Sequence, residues 1–127
     1  MGQSTEKPFD IQERTFNFGV QIIKFVDKLP HTISGTELGR QILKSGTSIA
    51  ANMEEAKGAE SRSDFIHKTN IAYKEARETH LWLGMMKAAW SLNSVEVNAL
   101  CTESEELVRI LYTILKKSRA SAKNPRR

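Results

Sequence analysis

Apolar residues recur at steps of three and four along four stretches of the chain, and no other feature constrains the fold as strongly. Residues at those steps share one face of an α-helix, and none of the stretches alternates in the manner of a strand. The predicted helices begin at an N-cap Asp10, a cap Thr36, a capping box Ser61–Asp64 and a start near Ser94. The short connections force neighbours to run antiparallel. We therefore predict an all-α, up-down-up-down four-helix bundle.

Length and composition place these helices in one domain. The chain has 127 residues, of which 39% are hydrophobic and 27% charged, so it can bury a core without a metal or disulfide. We divide it into an N-terminal segment (residues 1–9), the four-helix bundle (residues 10–117) and a basic, disordered tail (residues 118–127). The tail is polar and contains little that could pack against the bundle.

The sequence also favours a particular cellular compartment. Cys101 is the only cysteine, which excludes an internal disulfide and fits a reducing environment. No apolar run approaches the ~20 residues of a membrane span. The stretch from Met1 to Pro8 is polar, unlike the apolar segment of a signal peptide. We expect a cytoplasmic protein that does not associate with membranes.

Positive charge is concentrated at the C-terminal end. Six of the basic residues follow Leu115 with no acid among them, and six subtracted from the net charge of +4 leaves −2 on the first 115 residues. A cluster of this kind is typical of a nucleic-acid-binding terminus, although a solubilising terminus has the same composition. The candidate nucleic-acid-binding residues are Lys116, Lys117, Arg119, Lys123, Arg126 and Arg127.

The third helix carries more apolar surface than one bundle can cover. The stretch from Leu81 to Trp90 is apolar on nearly all sides, whereas each helix of a monomeric four-helix bundle keeps one side toward water. We interpret the excess as a contact between subunits. The alternative is a broad core face with a few exposed hydrophobic residues. The candidate interface residues are Phe16, Trp82, Met85 and Trp90.

Known catalytic and metal-binding patterns are missing from the sequence. A di-iron bundle needs two Glu-x-x-His pairs and two further glutamates, and only Asp64-x-x-His67 has a comparable spacing. No nucleophile elbow, phosphate-binding loop or paired cysteine and histidine is present. We expect no catalytic residue, no cofactor, no metal and no enzymatic activity.

One group of polar residues lies along the inner side of the predicted second and third helices. If these helices are antiparallel partners, Asn52 could meet Glu75 or Glu78. Two interpretations remain open: a buried hydrogen-bond network that fixes how the helices align, and a ligand-binding or enzymatic pocket. The residues of this polar cluster are Gln41, Ser45, Ser48, Asn52, Glu55, Glu75 and Glu78.

Two segments of the chain resemble a known family. Residues 41–55, which include Asn52, and residues 71–83, which include Glu75, Glu78 and Trp82, are similar to the bacterial ribosomal-RNA intervening-sequence proteins. That family of four-helix bundles also takes in the accessory proteins of diversity-generating retroelements, known as accessory variability determinants. The likeness extends from about Phe9 to Leu115.

The resemblance implies a ring, typically a homopentamer, with no enzymatic activity. In the retroelement relatives such a ring is the partner of a reverse transcriptase and binds nucleic acid through a basic surface. The basic residues of those relatives cannot be carried over position by position to this chain, because its body has a charge of −2.

Three hypotheses follow. The first is a non-enzymatic, ring-forming protein that binds RNA or DNA, or a nucleic-acid enzyme, through charge. The second is a small-ligand-binding or enzymatic bundle that uses Asn52, Glu75 and Glu78. The third is a scaffold that binds only protein.

Overall fold

Four α-helices make up the structure, a computed structural model that describes residues 10–123 and contains no strand within that range. Helix α1 spans Ile11–Val26 and α2 spans Ile33–Lys57. Helix α3 spans Arg62–Trp90 and α4 spans Val95–Lys123. The prediction of an all-α, single-domain protein is confirmed.

Three of the predicted helix starts are confirmed by their capping hydrogen bonds. The side chain of Asp10 accepts a hydrogen bond of 3.1 Å from the backbone N–H of Glu13. The side chain of Ser61 accepts one of 3.0 Å from the backbone N–H of Asp64. The hydroxyl of Ser94 accepts one of 3.1 Å from the backbone N–H of Val97, and α4 begins directly after it. Each bond satisfies a backbone donor that has no partner within the helix.

The predicted start of α2 was wrong. Thr32, not Thr36, is the N-cap, and its hydroxyl accepts a 3.0 Å hydrogen bond from the N–H of Gly35. Gly35 is therefore part of the first turn rather than of a linker. A Cβ at this position would stand 2.0 Å from the carbonyl oxygen of Pro30, so glycine allows α2 to begin directly under the turn.

The predicted end of the bundle at residue 117 was also wrong. Helix α4 continues to Lys123, so the residues between 118 and 123 are helical and not a disordered tail. Ser, Arg, Ala and Lys fill these positions, and no glycine or proline interrupts the helix before Pro125. Arg126 and Arg127 lie outside the described residues, as does the side chain of Lys123.

The helices enclose one hydrophobic core. Helix α2 packs against α1 and α3, α3 packs against α4, and α1 meets α4 along a thinner seam. Gly46 lets α1 approach α2 closely, because a Cβ there would stand 2.9 Å from the side chain of Ile22. Residues that are fully buried in the core include Ile22, Ile42, Ile49, Leu83, Leu107 and Leu111.

Ion pairs close the seam between α1 and α4. The Arg14 guanidinium donates to both carboxylate oxygens of Glu103, at 2.7 and 2.8 Å, and also to Glu106. Lys28 pairs with Glu96 at 2.9 Å. The hydrogen bonds that Arg14 donates to Glu103 and to Glu106 raise the pKa of Arg14, so this residue stays charged.

No helix between residues 10 and 123 has an apolar stretch long enough to cross a membrane.

Candidate nucleic-acid interface

Four of the six basic residues at the C-terminal end lie on α4. Lys116, Lys117 and Arg119 are exposed in the last turns of α4. The Arg119 guanidinium donates a hydrogen bond of 3.4 Å to the side-chain oxygen of Asn70 on α3. This contact directs Arg119 toward α3, so its charge lies over the junction between α3 and α4.

Two tyrosines occupy the same junction further into the bundle, about one turn beyond Asn70 on α3 and about two turns before Arg119 on α4. The ring of Tyr73 on α3 and the ring of Tyr112 on α4 have centroids 6.1 Å apart and planes inclined at 43°. The Arg77 guanidinium carbon lies 5.7 Å from the centroid of Tyr73. Tyr112 is 51% exposed, which is high for an aromatic residue that contacts another ring.

Sequence reasoning missed the tyrosine pair, although a weak signal was present. Tyr73 and Arg77 are four residues apart, and Tyr112, Lys116 and Arg119 follow at steps of four and three, so each set shares one helix face. Nothing in the sequence states that these two faces are neighbours. That relation depends on how α3 and α4 align.

A groove continues the junction toward the middle of α3. It has a volume of about 660 Å³, and it carries cations and carboxylates together. One of the carboxylates is already paired, because Glu105 accepts a 2.9 Å hydrogen bond from Arg109. The lining residues are Lys74, Arg77, Glu78, His80, Leu81, Glu105, Val108 and Arg109.

The polar cluster predicted on α2 and α3 is only partly buried. Ser45 is buried, and its hydroxyl lies 2.8 Å from that of Thr79 on α3, which also donates to the carbonyl of Glu75. Asn52 is half-buried and donates to the carbonyl of Ser48 at 2.9 Å and to its hydroxyl at 3.1 Å. The buried polar link between the two helices is therefore Ser45–Thr79, and Asn52 bonds within α2 rather than to Glu75 or Glu78.

The predicted burial was wrong for Gln41, Glu55 and Glu78, which are exposed. Gln41 and Glu55 stand on the edge of α2 that borders α3, and this edge remains open to water. Glu55 pairs there with Lys68 of α3 at 2.6 Å. Glu75 is half-buried; burial raises its pKa, the charge of Glu78 adds to the effect, and Lys44 opposes it.

The candidate interface residues differ in exposure. Phe16 is 54% exposed and Met85 is 48% exposed. Trp82 and Trp90 are half-buried and pack against the core. Within the described residues, the indole N–H of Trp82 is buried without a hydrogen-bond partner. Other large apolar side chains on the surface include Ile23, Leu43 and Leu81.

No three histidine, cysteine, aspartate or glutamate side chains between residues 10 and 123 come together in a way that could hold a metal ion.

The fold and the surface together define an all-α four-helix bundle whose C-terminal helix carries a basic face. The chain belongs to the 23S rRNA-intervening sequence protein family, whose model matches residues 7–113. The resemblance drawn from residues 41–55 and 71–83 is thereby confirmed for this family. The match ends before Lys116, so the C-terminal cations lie outside it.

A solved relative has the same fold. It is a crystal structure of a protein with unknown function from the S23 ribosomal protein family of Bacteroides thetaiotaomicron VPI-5482. The two chains are 33% identical with a TM-score of 0.75, and the alignment covers 84% of this chain and 99% of that chain. No curated protein matches the chain.

Proposed function

We propose that this protein is a non-enzymatic, self-associating bundle that binds nucleic acid through positive charge on the C-terminal half of α4. The observation that carries the proposal is the exposure of Lys116, Lys117 and Arg119 on a segment without acids. Phosphate groups attract such a segment, and the release of counterions supplies most of the binding free energy.

The proposal includes an antiparallel, up-down-up-down order of the helices. Contacts between α2 and α3 support it, since Glu55 near the end of α2 pairs with Lys68 near the start of α3. Ser45, ten residues before Glu55, meets Thr79, eleven residues after Lys68.

Self-association is proposed because large apolar side chains stay exposed on two sides of the bundle. Phe16 and Ile23 lie on α1, and Leu81 and Met85 lie on α3, each of them between 45% and 54% exposed. Each pair shares one face of its helix, at a spacing of seven residues in α1 and four in α3, and a contiguous exposed apolar area favours contact between copies. The family resemblance suggests a ring, with the homopentamer as the expected form.

A ring would multiply the contribution of each basic end. Once one copy holds a nucleic acid, the ends of the others are held close to the same strand, and their binding becomes intramolecular. Affinity then exceeds that of a single copy without any new contact.

The test combines the solution mass with binding to labelled RNA and DNA. We expect light scattering to give a multiple of 14.3 kDa, and we expect the logarithm of affinity to fall linearly with the logarithm of salt concentration. A Lys116→Gln, Lys117→Gln, Arg119→Gln triple variant should bind more weakly and with a flatter salt dependence. Lys24→Gln, Lys57→Gln, Lys87→Gln, which neutralises three cations outside this segment, is the matched control.

Two outcomes would contradict the proposal in different ways. Unchanged affinity in the α4 triple variant would remove the basic end from binding. A lone 14.3 kDa species at working concentrations would remove self-association. Self-association without nucleic-acid binding would leave a protein partner, such as a reverse transcriptase or another protein, as the function of the bundle.

A further inference from the structure

The exposed Tyr112 shares a face of α4 with two cations and contacts Tyr73, beside which Arg77 lies. We define the tyrosine–cation surface as Tyr73, Arg77, Tyr112, Lys116 and Arg119. Tyr112, Lys116 and Arg119 follow one face of α4 over about 10 Å. Tyr73 and Arg77 approach them from α3, with the tyrosine centroids 6.1 Å apart and Arg77 5.7 Å from the centroid of Tyr73.

Tyr112 is held in place from one side and open on the other. Its contact with Tyr73 restricts the ring, yet 51% of the residue remains exposed. A restricted aromatic ring loses little conformational entropy when a second flat group stacks on it. The position therefore suits a flat, apolar partner that arrives from solution.

The charge near the Tyr112 side chain indicates which charged groups that partner carries. Arg77, Lys116 and Arg119 supply three cations. Arg77 also lines the adjoining groove, which contains the carboxylates of Glu78 and Glu105, and Glu105 is paired there with Arg109. A partner that fits both features has flat rings joined by anionic groups.

We propose that the tyrosine–cation surface binds single-stranded nucleic acid, with one base stacked on Tyr112 and the neighbouring phosphates on Lys116 and Arg119. The proposal rests on the nucleic-acid binding proposed above and adds the kind of strand. Bases of a single strand expose their flat faces, whereas those of a duplex are stacked on one another. A duplex can therefore use the cations but not the ring.

The experiment compares a labelled 20-nucleotide single strand with a duplex of the same length, by fluorescence anisotropy. The wild-type chain should bind the single strand more tightly. Tyr112→Ala should weaken single-strand binding about tenfold and leave duplex binding nearly unchanged. Tyr112→Phe keeps the ring and should retain single-strand affinity. Lys116→Gln with Arg119→Gln should weaken binding to both.

The possible results show whether this proposal fails alone or together with the preceding one. Equal binding of both forms, with no effect of Tyr112→Ala, would overturn the stacking role and leave charge-based binding intact. Absence of binding to either form would overturn both proposals. Circular dichroism and light scattering of Tyr112→Ala complete the test. A changed mass would overturn the proposal by assigning Tyr112 to a subunit contact, and if Tyr112→Ala unfolds, Tyr112→Leu takes its place.

Discussion

The hydroxyls of Ser45 on α2 and Thr79 on α3 lie 2.8 Å apart, and both residues are buried, with 1% and 0% of their surface exposed. Buried polar groups are costly unless they are hydrogen-bonded. The two hydroxyls differ in the other hydrogen bonds they can make. Thr79 bonds to the carbonyl of Glu75 at 2.8 Å, whereas Ser45 has only a 3.5 Å contact with the carbonyl of Ile42.

Removing the two hydroxyls should therefore have unequal effects. Thr79→Val leaves the Ser45 hydroxyl poorly bonded and should lower the free energy of unfolding by about 1–2 kcal/mol. Ser45→Ala should cost less, because Thr79 keeps its bond to Glu75. Urea unfolding of both single variants and the double variant measures the coupling. Strict additivity would mean that the pair does not link the helices.

Replacing Arg14 should weaken the seam between α1 and α4. Arg14→Met removes a two-pronged ion pair with Glu103 and should lower the free energy of unfolding by about 1 kcal/mol, less at high salt. The raised pKa of Arg14 keeps the guanidinium charged until strong alkali, so its own deprotonation does not remove this contribution in the usual pH range. Arg109→Met is the control, because that side chain is 70% exposed and its ion pair with Glu105 lies within α4 rather than between helices.

Two glycine substitutions should shift stability in opposite directions. A Cβ at Gly46 would stand 2.9 Å from the buried Ile22 side chain, so Gly46→Ala should destabilise the fold by about 1–3 kcal/mol. Gly84 lies within α3 and has no atom within 4 Å of an added Cβ. Gly84→Ala should stabilise the helix by about 0.5–1 kcal/mol. Thermal unfolding compares them, and destabilisation by Gly84→Ala would contradict an open position.

Glu75 should make stability depend on pH. Burial, with the charge of Glu78, raises the pKa of Glu75, so the folded state disfavours its ionised form. The free energy of unfolding should therefore rise as the pH falls through the raised pKa of Glu75. It should level off below the ordinary pKa of glutamate. Glu75→Gln should therefore be more stable than wild type at pH 7.

Thermal unfolding at several pH values checks this expectation. The advantage of Glu75→Gln should shrink as the pH falls, because protonated glutamate resembles glutamine. Glu54→Gln, which removes an exposed carboxylate from α2, controls for the loss of charge. An advantage for Glu75→Gln that stays constant down to pH 3 would exclude ionisation as its cause.

Charges placed on the exposed apolar side chains should reduce self-association. Phe16→Glu and Met85→Glu each introduce a carboxylate where copies are expected to meet, so light scattering should report a smaller mass. Thr113→Glu is the control, because it adds the same charge at an exposed position of α4. Wild-type mass in both Phe16→Glu and Met85→Glu would exclude these sides of the bundle from the interface.

The starts of α1 and α3 followed from the sequence, whereas the start of α2 did not. Asp10 and Ser61 cap their helices by short-range bonds that any sequence reader can anticipate. Thr32 was missed because the adjacent Ser34-Gly35 suggested a linker. Gly35 is needed because its backbone passes close to Pro30 and leaves no room for a Cβ. This close approach depends on the path of the turn rather than on local preference.

Surface sites were harder to predict because they depend on neighbouring helices. Spacing alone put Gln41 and Glu55 inside, although the edge of α2 on which they stand is open to water. It also left Tyr73 and Tyr112 unrelated, since 39 residues separate them in the chain. Composition located the basic end correctly but could not show that it continues α4 as a helix.

Helix α4 continues without a break from its buried residues to Lys123. The helix therefore fixes the direction in which the basic residues at its end point. Each residue added to a helix turns everything beyond it by about 100°. One alanine inserted after Leu115 would carry Lys116 and Arg119 away from Tyr112, whereas seven would return them almost to their original direction, about 10 Å further along. Both insertions add only alanine, so they differ in the direction in which Lys116 and Arg119 point relative to Tyr112.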